Sequence, residues 1–191
     1  MIYYYKTPNY CVAINPKVGC TSFAKAIINT FYPDIDKEIN DTSTVFHGPK
    51  YILLCPKIQI PNKPVVCLVR DPIERFASAI NETGINIDEA VKCLLNDEYY
   101  HFPIYSKPKR LREDGHFREQ FKLITNEAHL FKFPEQIETM ANFIGISKID
   151  NLNKSNKKVK LKQEHINFIL DYYYKDFELY KKVSKHLYDK Y

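Results

Sequence analysis

Twice in this chain a short apolar run stops at a turn and passes straight into an amphipathic helical pattern. The first run, residues 10–15 (YCVAIN), ends at Pro16. After the turn, Phe23, Ile27, Ile28 and Phe31 recur at helical spacing, up to about Tyr32 with Pro33 beyond. Thr21 or Ser22 suits the cap of that helix. The second run, residues 64–69 (PVVCLV), is rich in β-branched residues and reads as a strand. Arg70-Asp71-Pro72 follows, and the spacing predicts a helix over 72–82 with Ile73, Phe76, Ala77 and Ile80 facing inward. Strands alternating with helices predict an α/β fold, three layers deep (α/β/α), around a mostly parallel central sheet. Ligands of such sheets sit beyond the carboxyl ends of the strands, where both turns lie.

The rest of the chain fits one domain spanning residues 1–191. Residues 51–55 and 128–133 read as further strands, and 87–96 as a helix. Pro134 is expected to open a helix that ends near Gly145. From Gln163 onward the apolar residues keep a helical period, giving one long or two short helices. Residues 34–50, 99–115 and 147–162 read as loops, the last rich in lysine. Apolar residues make up 45% and charged residues 27%, a soluble globular balance. No apolar run approaches the roughly 18 residues of a membrane span. The first ten residues lack the apolar region of a signal peptide. A soluble, cytoplasmic protein is expected. The five cysteines are odd in number and form no C-x-x-C pair, so neither disulfides nor a metal site is expected. Residues 151–191 hold 10 lysines against 5 acids, which accounts for the whole net charge of +5. That end suits a phosphorylated ligand or is simply a solvated surface.

The first turn reads Pro16-Lys17-Val18-Gly19-Cys20-Thr21-Ser22. A strand–turn–helix aims backbone N–H groups at an anion. Lys17 adds a point charge, and Thr21 and Ser22 add hydroxyl donors. An ordinary turn with a solvent-facing lysine has the same outline. A phosphate loop of the nucleotide-kinase kind carries its lysine after the last glycine, next to a hydroxyl that holds Mg²⁺. Here Lys17 precedes Gly19 and is followed by Val18, so the loop suits a phosphate held without a metal.

The second turn belongs to Cys67–Ile80 (CLVRDPIERFASAI). Arg70 ends the strand, and Ser78 lies about two helical turns in. A bidentate guanidinium and a hydroxyl can both meet one anion. A structural salt bridge of Arg70 is the plainer alternative. Two anion sites at neighbouring strand ends suit a ligand with phosphates at both ends.

Here the chain resembles the sulfotransferases, most of all the Golgi-type carbohydrate branch, which implies a P-loop-like fold. PKVGCTSF resembles their 5′-phosphosulfate loop, and VRDPIERFASA their 3′-phosphate segment of pattern R-D-P-x-E-R-x-x-S. The order and the separation of about 50 residues also match. DGHFREQFKL (114–123) is similar to an H-[FW]-x-P-Q segment, with Glu119 in place of proline. LNKSNKK (152–158) resembles a loop that covers the nucleotide, and YYYKDFELY (172–180) a terminal Y-x-x-D-[FY] helix.

The resemblance implies 3′-phosphoadenosine 5′-phosphosulfate (PAPS) as donor, adenosine 3′,5′-bisphosphate as product and a hydroxyl acceptor on a glycan; no nucleic acid is implied. Lys17 would stabilise the bridging oxygen, and residues 16–22 would hold the 5′-phosphate. Arg70 and Ser78 would hold the 3′-phosphate, with Lys154, Ser155 and Lys157 covering the nucleotide. The acceptor needs a general base. His47 lies between the two motifs, where the family has an H-G-H segment of which only the first His is present here. His116 is the second candidate. His129, His165 and His186 fall in predicted regular elements and suit structural roles. The basic stretch 107–118 suits an acidic glycan, or is a solvated loop. A small P-loop kinase and a binding module without activity are the competing classes.

Overall fold

A computed structural model of the chain describes residues 3–13, 15–33, 54–56, 63–102, 107–124, 128–149 and 159–185. The class is mixed α/β. The described residues fall into two compact units, 1–69 with 123–154 and 70–122 with 155–191.

The first unit holds a five-stranded sheet in the order β3-β1-β2-β4-β7. Its strands are β1 (Tyr3–Lys6), β2 (Cys11–Ala13), β3 (Leu54–Pro56), β4 (Val65–Arg70) and β7 (His129–Phe133). β2 and β4 pair in parallel, Val12 opposite Val66. β1 pairs antiparallel with both β2 and β3, so β2, β3 and β4 run one way and β1 opposes them. β1 is an addition to the expected strands. Thr7 makes its hairpin, with the Tyr10 N–H donating to Thr7 Oγ1 at 3.0 Å.

Helix α1 (Cys20–Phe31) follows β2. It buries Phe23, Ile27 and Ile28 against Val12, Val66 and Leu68. Phe131 of β7 and Met140 and Ala141 of α4 (Ile137–Phe143) complete this core. Pro134 does not open α4. It lies in a turn that the Gln136 side chain closes by accepting from the Lys132 N–H at 2.7 Å. Residues 65–69 of β4 are all buried, so both faces of that strand are covered.

The second unit is mainly helical. α2 (Pro72–Thr83) and α3 (Ile87–Leu95) are followed by a two-stranded ribbon of β5 (Tyr99–Tyr100) and β6 (Lys109–Arg110). This ribbon lies where only a loop was expected. Two 3-10 turns follow, Leu111–Glu113 and Gln120–Leu123. Of the two expected arrangements at this end, the chain takes the two shorter helices, α5 (Gln163–Tyr172) and α6 (Tyr174–Lys185). Phe76 is central: its ring meets Phe117 edge-on at 5.8 Å and Tyr173 at 6.3 Å. No helix among the described residues is long and apolar enough to cross a membrane.

Candidate functional site

The first turn is shaped by two residues with left-handed backbone, Lys17 (φ 69°) and Gly19 (φ 73°). Left-handed geometry strains any residue with a Cβ, and lysine accepts it here. At Gly19 the requirement is double. A Cβ there would lie 2.8 Å from Cε2 of Phe133, so both the conformation and the space demand glycine.

Gly19 is the N-cap of α1 and has no side chain with which to cap it. The expectation that Thr21 or Ser22 caps it is therefore corrected. Gly19 takes the cap position, and Cys20, Thr21 and Ser22 form the first helical turn. Pro16, Lys17, Cys20 and Thr21 are half-buried, whereas Val18 and Ser22 are buried. The early N–H groups of a helix lack intrahelical acceptors and carry the positive end of its dipole. Asn15, fully buried, moors the start of the loop by donating from Nδ2 to the Leu68 carbonyl of β4 at 3.3 Å.

The second turn is built on the opposite plan. Asp71 caps α2: its Oδ1 accepts from the N–H groups of Ile73 (2.9 Å) and Glu74 (3.1 Å), and Pro72 fills the first helical position. The Arg-Asp-Pro turn is thus a helix cap, and the carboxylate serves the backbone. Arg70, itself mostly covered, pairs with the exposed Glu74, Nε to Oε2 at 3.4 Å. Its backbone is clamped on both sides by Gln120. Oε1 of Gln120 accepts from the Arg70 N–H at 2.9 Å, and Nε2 donates to the Arg70 carbonyl at 2.8 Å.

Gln120 is itself fixed by Asp176, which is 1% exposed and accepts the N–H groups of Gln120 (2.8 Å) and Phe121 (2.9 Å). Burial raises the Asp176 carboxyl above its ordinary value, against these two hydrogen bonds and the Arg75 charge. Arg75 is 2% exposed and donates from Nη2 to the Gly115 carbonyl at 3.0 Å. Burial lowers it, while Tyr173, Asp176 and Asp114 act in the other direction. The Tyr173 hydroxyl donates to the Phe117 carbonyl at 2.6 Å. The segments His116–Gln120 and Tyr173–Phe177 are thereby knitted into one buried network beneath Arg70. Sequence reasoning singled out both segments but assigned no role to Gln120, Tyr173, Asp176 or Asp114.

Ser78 is half-buried on α2, one helical turn from Glu74 and one from Glu82. These carboxylates oppose an anion at Ser78, and Arg70 offsets the first of them. Glu82 also faces His116, Oε1 lying 3.3 Å from Nε2. On the other side of that ring, the buried Asp114 accepts the His116 N–H at 2.9 Å and lies 2.7 Å from Nδ1. With a carboxylate at each ring nitrogen, the ring is held in place from both sides.

His47, Lys154, Ser155 and Lys157 lie outside the described residues, as does His186. His129 stands in β7, its ring 5.4 Å from Phe143. His165 closes α5. Its Nδ1 accepts the Lys162 N–H at 3.2 Å, so its proton sits on Nε2, 2.8 Å from Asp88 Oδ1. Asp88, Glu164 and His165 form the one acid–histidine group with metal-like spacing among the described residues. With both ring nitrogens engaged, it serves as a helix cap.

The described site residues thus form two local groups. Pro16 to Ser22 surround a glycine-capped helix end, Arg70 and His116 stand on a buried polar network, and Ser78 lies on α2. No protein-family model, no curated protein and no solved structure matches this chain.

Proposed function

We propose that the protein is a sulfotransferase that moves a sulfuryl group from PAPS to a hydroxyl acceptor, on a carbohydrate, within a P-loop-like α/β/α fold. The observation that carries the reading is the start of α1. Lys17 and Gly19 bend the chain left-handed, and the glycine N-cap brings no side chain to the helix end, which suits an anion cradle. The buried Val18 beside Lys17 offers no hydroxyl for Mg²⁺, which favours a sulfuryl donor over a nucleoside triphosphate. Coverage of both faces of β4 supports the three-layer arrangement. The free thiols of Cys11, Cys20, Cys67 and Cys93 support a cytoplasmic setting.

In this reading the acceptor oxygen attacks sulfur, and the bond to the bridging phosphate oxygen breaks. Lys17 stabilises the charge that develops on that oxygen, and residues 18–22 hold the 5′-phosphate. Arg70 exchanges Glu74 for the 3′-phosphate, with Ser78 as a further donor. His116, held by Asp114, or His47 takes the acceptor's proton. Lys154, Ser155 and Lys157 cover the nucleotide.

Calorimetry with adenosine 3′,5′-bisphosphate against ATP–Mg²⁺ tests the reading. The bisphosphate is expected to bind and ATP–Mg²⁺ to bind much more weakly. Preference for ATP–Mg²⁺ would favour a kinase, and binding of neither a module without nucleotide. Lys17→Ala should lower turnover strongly, whereas Arg70→Ala should mainly weaken bisphosphate binding.

A further inference from the structure

Beneath the first turn lies a small cavity with room for about one water molecule. Its walls are mostly apolar, including Val18, Phe23, Leu68 and Met140, and two polar residues, Asn15 and Cys20, line it as well. Asn15 is 0% exposed, and its Oδ1 has no hydrogen-bond partner. The amide cannot simply be turned over, because Nδ2 faces two acceptors, the Leu68 carbonyl at 3.3 Å and Cys67 Sγ at 3.7 Å. A buried acceptor left unmet is unfavourable and calls for a donor in the cavity. Tyr5 Oη is a second buried oxygen without a partner, and the Tyr5 hydroxyl lies within electrostatic reach of the Cys20 sulfur.

The cysteines differ in access. Cys11, Cys67 and Cys93 are buried, and Cys20 alone among the described ones is half-buried. Burial pushes the Cys67 thiol up to about 12. Cys20 opens α1, at the positive end of its dipole.

We propose that Cys20 is a site of reversible oxidation by hydroperoxides, whose sulfenic acid is held by a hydrogen bond to Asn15. The sulfur attacks one peroxide oxygen and the O–O bond breaks. The leaving oxygen departs as water with the thiol proton when the oxidant is hydrogen peroxide. Sulfur is oxidised by two electrons and the peroxide is reduced by two. The product carries one added oxygen bearing one proton, which matches the cavity in size. Its O–H donates to Asn15 Oδ1, supplying the donor that this acceptor lacks. A small thiol returns Cys20 to the reduced state through a mixed disulfide. The site stands whichever anion the loop holds, since it rests on Cys20, Asn15 and the cavity alone.

The test uses the full chain and limiting hydrogen peroxide, with peptide mass mapping of each cysteine. Cys20 is expected to gain a single oxygen at least about tenfold faster than Cys11, Cys67 or Cys93, and to lose it on addition of a thiol. Asn15→Leu keeps the branched heavy-atom outline of the side chain and removes the acceptor. In that variant the singly oxidised form should decay about tenfold faster to higher oxides, the worth of one hydrogen bond. Equal oxidation of Cys20 and the buried cysteines would overturn the proposal. So would a folded Asn15→Leu protein that retains the singly oxidised form as long as the parent. If that variant does not fold, the ranking of cysteines in the parent protein decides.

Discussion

The two strand-to-helix junctions start from similar sequence and end with opposite electrostatics. At α1 the cap is Gly19, which contributes only backbone. At α2 the cap is Asp71, whose carboxylate occupies the N–H groups of Ile73 and Glu74. A helix end already satisfied by a carboxylate has little to offer a second anion, whereas one without a side-chain cap retains its donors. An anion at the second junction must therefore be met by side chains, Arg70 foremost. The difference extends to what holds each turn in place. The first depends on left-handed backbone and a missing Cβ; the second depends on a buried polar network several residues deep.

The largest effect is expected where that network is broken. Arg75→Met removes the buried positive charge that acts on Asp176 and Asp114, and should cost about 3–5 kcal/mol in urea unfolding. A cost below about 1 kcal/mol would mean that the network does not need its arginine. Next comes a pair of glycines with the same backbone and different surroundings. Gly19→Ala combines left-handed strain with the Phe133 contact, and should cost about 2–4 kcal/mol. Gly84→Ala has φ 69° but nothing within 4 Å of the added Cβ, and should cost only about 1 kcal/mol. Equal costs would show that Phe133 yields freely.

Asp71→Ala removes one cap and should destabilise α2 by about 1 kcal/mol, read as a shift in the urea midpoint. An unchanged midpoint would place the two helix ends on the same footing. The smallest effect concerns acid. The hydrogen bond from His165 holds the Asp88 carboxyl below its usual range. Because the folded value is lower than the unfolded one, the contribution is present above about pH 4 and fades as pH falls through the folded value. Asp88→Asn should flatten that part of the stability profile. If the profile below about pH 4 keeps its slope, this bond contributes nothing to it.

Much of this framework was legible where apolar period and turn residues agree. β2, β4, α1, α2 and α3 lie within one or two residues of their expected limits, because each carries its own apolar pattern and a Pro, Gly or Asn at its boundary. β1 escaped notice because its Tyr-Tyr-Tyr-Lys run has no apolar alternation and takes its place by pairing with β2 and β3. The burial of Arg75 was equally hidden. A charged residue beside Phe76 reads as solvated unless Asp114 and Asp176 are known to converge on it. Of the candidate site, the loop 16–22 and the Arg70 strand end followed from local order alone. The clamp of Gln120 on Arg70 joins residues 50 positions apart, and no local pattern announces it.

The interleaving of the two units bears on how the chain is made. β4 lies between β2 and β7, yet the chain between β4 and β7 includes residues 71–122, which belong to the other unit. A chain growing from its first residue completes β4 long before β7 exists. During that interval the β4 edge that β7 later covers is bare, and Phe131, Met140 and Ala141 are missing from the core around Val66 and Leu68. Such an edge is an invitation to pair with a neighbouring chain. A nascent or truncated product that stops short of residue 129 therefore carries its principal aggregation hazard in the strand that leads into Arg70.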